Sequence, residues 1–104
     1  MEEELKKIIN YYGIMDQLKY IHSEYFELDE AIIDHECYGS MVKPTNHIAE
    51  EIADVMVMLE QFRLYYEIPS MQITEIMQQK IERQIQRIDA DENKWFKSRR
   101  YSCI

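Results

Sequence analysis

Apolar residues return every third or fourth position along most of this chain, the period of a helix with one buried side. The first run is Leu5, Ile8, Ile9 and Tyr12, and Gly13 stops it, so a helix is expected from about Glu2 to Tyr12. A longer stripe of Ile14, Leu18, Ile21, Tyr25, Leu28 and Ile32 predicts a second helix from about Ile14 to Tyr38. Gly39-Ser40 and a loop holding Pro44 end it. Thr45 or Asn46 can cap a third helix, whose stripe is Ile48, Ile52, Val55, Leu59, Phe62 and Tyr66, closed by Pro69. Ser70 is placed to cap a fourth, from about Met71 to Ala90, burying Ile73, Met77, Ile81, Ile85 and Ile88. From Asp91 onward a peripheral tail mixes charge with Trp95, Phe96 and Tyr101, expected to pack on a neighbour or form a short helix.

Composition supports that reading. The chain has 104 residues, enough for a single domain over 1–104, and only two Gly and two Pro, too few turn residues for a sheet-rich fold. The expected class is therefore all-α, a four-helix, bundle-like fold. Hydrophobic residues make up 46% of so small a chain, which argues that a dimer completes the burial. A net charge of −8 repels phosphate backbones, and the single basic cluster is Lys94, Lys97, Arg99 and Arg100, so no nucleic-acid partner is expected. No apolar stretch nears the ~18 residues that a membrane span needs. The acidic start, Met1-Glu2-Glu3-Glu4, lacks the features of a signal peptide. Cys37 and Cys103 form no C-x-x-C pair; a bridge between them is conceivable, but two free thiols in a reducing cytoplasm are the expectation.

Excess acid matters chemically only where it converges. At about 100° per residue, Glu24 and Glu27 share one flank of the second stripe, and Glu51 and Asp54 share a flank of the third, offset in the same sense. Antiparallel packing of the two helices brings such flanks together. Each pair is spaced i, i+3, on neighbouring turns of one face. Four carboxylates at one seam repel each other, and a hard divalent cation relieves that; oxygen-only ligands suit magnesium, with manganese as the alternative, rather than zinc. With 20 Asp and Glu in the chain, one E-x-x-E is close to chance and helix surfaces can simply be acidic; two acidic pairs on matching flanks are less expected. On the fourth helix Lys80, Gln84 and Arg87 fall on one line, which is either a solvated face or, opposite a metal site, a grip for a polyphosphate.

Ser23-Glu24-Tyr25-Phe26-Glu27-Leu28 followed by Glu50-Glu51-Ile52-Ala53-Asp54-Val55 resembles the E-x-x-E … E-x-x-D signature of MazG-like nucleoside triphosphate pyrophosphohydrolases. Lys80 to Arg87 resembles that family's later K-x-x-x-N-x-x-R element, with Gln84 in place of Asn. The likeness runs from about Gln17 to Arg87. It implies a MazG-type all-α fold that assembles as a homodimer or homotetramer and hydrolyses nucleoside triphosphates to the monophosphate and pyrophosphate. It also implies that Glu24, Glu27, Glu51 and Asp54 bind magnesium and form the catalytic centre. Lys80 and Arg87 would then hold phosphate oxygens. Gln84 would contact base or sugar, and Gln17, two turns before Glu24, could touch the nucleotide. One of the glutamates, or Glu50, could take the proton of the attacking water.

Other groups weigh less. His22, His35 and His47 occur in no Glu-x-x-His, which argues against a di-iron bundle, and His47 reads as a surface residue. Tyr11, Tyr12, Tyr20, Tyr25, Tyr65 and Tyr66 could stack a base, but core or subunit interface is their default role. The competing function is a non-catalytic helical dimer, an interaction module or nucleotide-binding regulator whose acidic pairs are merely solvated.

Overall fold

The computed structural model describes residues 1–39 and 45–90. They form four helices and no strand: α1 (Glu2–Tyr12), α2 (Ile14–Tyr38), α3 (Thr45–Tyr65) and α4 (Ser70–Asp89). Each lies within a residue or so of the span its periodicity predicts. Gly13 and Gly39 hold φ of 86° and 89°, a region that side chains disfavour, so glycine is what lets α1 and α2 stop where they do. After α3 the chain turns instead through Glu67, a non-glycine residue with φ 56°, just before Ile68-Pro69. Two cap expectations need correction. Thr45 is already helical, and Ser70 begins α4 itself, with Pro69 in the cap position and no side-chain cap. Trp95, Phe96, Tyr101 and the basic cluster Lys94, Lys97, Arg99 and Arg100 lie outside the described residues. Cys37 is disulfide-bonded, which corrects the free thiol expected there; Cys103 lies outside the described residues.

The chain divides into two compact units, one of Met1–Glu67 and a second from Ile68. In the first, α3 packs mainly on α2, and α1 lies against α3 and more lightly against α2. α2 and α3 run antiparallel: Gln17 bonds Gln61, while Glu24, seven residues on, bonds Asp54, seven residues back. Leu5 and Ile9 of α1 are buried, with Ile9 only 2% exposed. Arg63 ties the start of α1 to α3 through Glu2 at 3.1 Å and Glu60 at 2.8 Å.

What the helices bury differs from what the stripes predict. The buried residues of α2 are Gln17, Glu24 and Ala31, and those of α3 are Glu51, Met58 and Gln61. Leu18, Tyr25 and Ile32 of the α2 stripe are exposed, as are Ile52 and Leu59 of α3 and Tyr66 just beyond it. The second unit buries no residue of α4; Ile73 is half-buried, and Met77, Ile81, Ile85 and Ile88 are exposed. Burial thus runs along the flank that carries the carboxylates and amides, one position away from the apolar stripe.

Candidate metal centre

Glu24 sits at the middle of α2 and Glu51 one turn and a half into α3, and their antiparallel packing sets each opposite the other helix's acidic pair. One carboxylate oxygen from each of Glu24, Glu27, Glu51 and Asp54 lies within 4.8 Å of the other three. Glu24 and Glu51 are buried, at 6% and 8% exposure, while Glu27 and Asp54 reach solvent. Two acids are therefore held at the back of the cluster and two at its open side. Among the described residues, Glu24 Oε2 and Glu51 Oε2 are sealed from solvent without a hydrogen-bond donor. Leaving a buried polar group unpaired costs about 1–3 kcal/mol, more when it is charged. The donor set, all oxygen and formally fourfold negative, fits a hard divalent cation that would satisfy those two atoms.

The electrostatics point the same way. Burial, first of all, raises the Glu24 pKa, and the nearby charges of Glu27 and Asp54 and a hydrogen bond shared with Asp54 raise it further; a hydrogen bond from Tyr20 works against them. Tyr20, one turn before Glu24, has its own pKa raised, chiefly by donating to that carboxylate and then by its charge. On the far side of Glu51, His47 places Nε2 3.6 Å from Glu51 Oε1 and Nδ1 3.8 Å from Glu50 Oε2. The imidazole is half-buried against the cluster, not a plain surface residue.

A cavity of about 480 Å³ opens beside the acids, with Glu24 and Asp54 in its wall. Its floor is the amide pair Gln17 and Gln61, joined by Gln17 Nε2 donating to Gln61 Oε1 at 2.8 Å. Ile8, Val57 and Met58 supply apolar wall, and Tyr12 and Tyr20 the exposed rim. A group of nucleoside size fits in such a space next to a cation.

Of the residues predicted from sequence, the structure brings together Glu24, Glu27, Glu51 and Asp54, with Gln17 at the adjoining cavity. Lys80, Gln84 and Arg87 belong to the second unit, along α4 at i, i+4 and i+7, with Lys80 and Gln84 exposed and Arg87 half-buried. Sequence reasoning missed Gln61 and Asp16 and undervalued Tyr20 and His47. The signals were present: Tyr20 stands at i−4 from Glu24 and His47 at i−4 from Glu51, one turn away on the same face. Gln61 follows Glu60 at the end of the apolar run Val55–Leu59, seven residues after Asp54. No protein-family model, curated protein or solved structure matches the chain.

Proposed function

We propose that the protein is a magnesium-dependent nucleoside triphosphate pyrophosphohydrolase that releases nucleoside monophosphate and pyrophosphate. The observation that carries this reading is the pair of sealed, donorless oxygens on Glu24 and Glu51, facing Glu27 and Asp54 beside a nucleoside-sized cavity. A solvated acidic surface has no reason to bury two carboxylates, each with one oxygen left without a hydrogen-bond partner among the described residues. Four converging acids in order with a later Lys-x-x-x-Gln-x-x-Arg line also match the MazG-like pattern that the sequence resembles.

In this reading Glu24, Glu27, Glu51 and Asp54 hold the cation, and Tyr20 and His47 steady Glu24 and Glu51. A cation bound there would neutralise triphosphate charge and lower the pKa of a water for attack at phosphorus. The water oxygen bonds the α-phosphorus, the bridge to the β-phosphorus breaks, and pyrophosphate leaves as one unit. A carboxylate of the cluster or Glu50 takes the water proton. Gln17 contacts the nucleoside, and Lys80, Gln84 and Arg87 of the second unit keep only the phosphate and nucleoside roles that the resemblance implies. Exposed apolar faces on α2 and α3 argue for assembly as a homodimer or higher oligomer.

The test is a product assay in oxygen-18 water over a panel of triphosphates with magnesium or manganese. Label in the nucleoside monophosphate is expected; orthophosphate and a diphosphate as first products would sink the mechanism. Magnesium should also raise the melting temperature of the wild type and not of Glu51→Gln. The non-catalytic alternative predicts neither turnover nor a magnesium shift.

A further inference from the structure

α4 carries a full apolar stripe and buries none of it. No residue of the helix is buried, and Met77, Ile81, Ile85 and Ile88 are 55%, 54%, 53% and 50% exposed. At about 100° per residue these four occupy a band only about 80° wide. Thr74, Ile81 and Ile88 recur every seven residues along that band, with Met77 and Gln84 between them. β-branched side chains at that interval suit the seam of a two-stranded helix pair.

The two edges of the stripe carry opposite charge. Lys80 and Arg87 lie about 100° and 120° to one side of Ile81, and Asp89, Glu82 and Glu75 lie about 80°, 100° and 120° to the other. Among the described residues none of these five charges is held in an ion pair. The division sets the direction in which a copy of the same helix can lie against this one. Packed antiparallel, each edge meets its own kind, and Lys80 and Arg87 face the same two cations. Packed parallel, each edge meets the other, and bases line up with acids along both sides of the seam. In register, Lys80 then stands about 3 Å along the axis from the level of the partner's Glu82, and Arg87 the same from the partner's Asp89. Like charges across a seam oppose one pairing and opposite charges favour the other.

We propose that α4 is a self-association surface, pairing parallel and in register with α4 of a second copy, Met77 on Met77 and Ile81 on Ile81. This surface is separate from the open faces of α2 and α3, and the inference does not rest on the catalytic reading. Ion pairs at such an exposed rim are weak and exchange with solvent, so Lys80 and Arg87 are not withdrawn from the phosphate role that the resemblance implies.

A cysteine placed in the seam reads the direction. Met77→Cys in the full-length chain, mildly oxidised at micromolar concentration, should give a covalent dimer whose digest contains two copies of the α4 peptide joined through position 77. In an antiparallel pair centred on Ile81 the two 77 positions lie about 12 Å apart along the axis, and only Met77→Cys combined with Ile85→Cys would link. Linkage through the double variant alone overturns the proposal, as does no linkage from either. Gln79→Cys, on the polar side of the helix, controls for collision; a yield equal to that of Met77→Cys also overturns it. Charge supplies the second arm. Glu75→Lys with Glu82→Lys makes both edges basic and should weaken the pairing at least about tenfold, read from the cross-link yield at low salt. Mixing these copies with copies carrying Lys80→Glu and Arg87→Glu should restore the yield as mixed dimers, a rescue that misfolded variants could not give. Failure of the mixture to pair overturns the role of the edges. Triphosphate turnover plays no part in the readout, so this inference and the pyrophosphohydrolase fail separately.

Discussion

Glu24 is a carboxylate that burial has made reluctant to ionise, and this has a consequence for pH. Its folded pKa lies above the ordinary value of 4.5, so the folded state binds the proton more tightly than the unfolded chain does. The resulting stability is fully present below about 4.5 and is lost as pH rises through the folded pKa. Without divalent ions, therefore, the melting temperature of the wild type should fall relative to Glu24→Gln as pH climbs from 4.5 toward neutrality. The two curves compared in a chelator isolate this one group, and parallel curves would refute the assignment. Added magnesium should reverse the trend, because protons compete with the cation for the same oxygens. Glu51→Gln belongs to the same scale. It replaces a donorless charge with a neutral amide, so metal-free stability should hold or rise while turnover disappears, and near-normal turnover at saturating magnesium would disprove the ligand role.

At the scale of the helix, the turn after α3 and the inside of α1 give separate tests. Ile9 is the largest apolar side chain fully enclosed in the first unit, and Ile9→Ala should cost about 2–5 kcal/mol in denaturant unfolding. Glu67 spends energy on a left-handed conformation that glycine adopts freely, so Glu67→Gly should raise stability by about 1 kcal/mol. An unchanged or lower midpoint would mean that the Glu67 side chain offsets the strain. Helix positions were legible because a 3.6-residue period and glycines at 13 and 39 mark them directly. The buried face was not. A stripe argument takes the most apolar line as the inner one, and here the inner line runs through Gln17 and Glu24 while Leu18 and Tyr25 look outward. The four acids were still found, because their convergence depends on spacing and on which helices pair, both unaffected by that error. Gln61 escaped notice since a single amide carries no motif; only its partner 44 residues away gives it meaning.

For the molecule as a whole, the outward apolar faces set the expectation. Tyr25 at 64% exposure and Phe26 at 59% stand on α2, with Met56 and Leu59 comparably open on α3. A chain with a net charge of −8 can stay dispersed despite such patches, but contiguous apolar surface is normally covered. Light scattering should therefore report at least a dimer at micromolar concentration. Phe26→Glu should shift it toward monomer while circular dichroism stays helical. A wild type that remains monomeric would count directly against assembly.

The inner line of α2 repeats every seven residues, Gln17, Glu24 and Ala31, and Glu51 and Met58 keep the same interval on α3. Seven residues is two helical turns, so these positions stack along one line of each helix, and amides and acids occupy several of its layers beside Ala31 and Met58. Apolar layers are interchangeable and let helices slide by a heptad; Gln17 against Gln61 and Glu24 against Asp54 are not. The groups that would serve chemistry thus also fix the register of the hairpin. Replacing Gln17, Glu24, Glu51 and Gln61 together with leucine or methionine should give a chain that melts higher yet shows several sets of NMR resonances, because nothing would tell its two long helices where to stop.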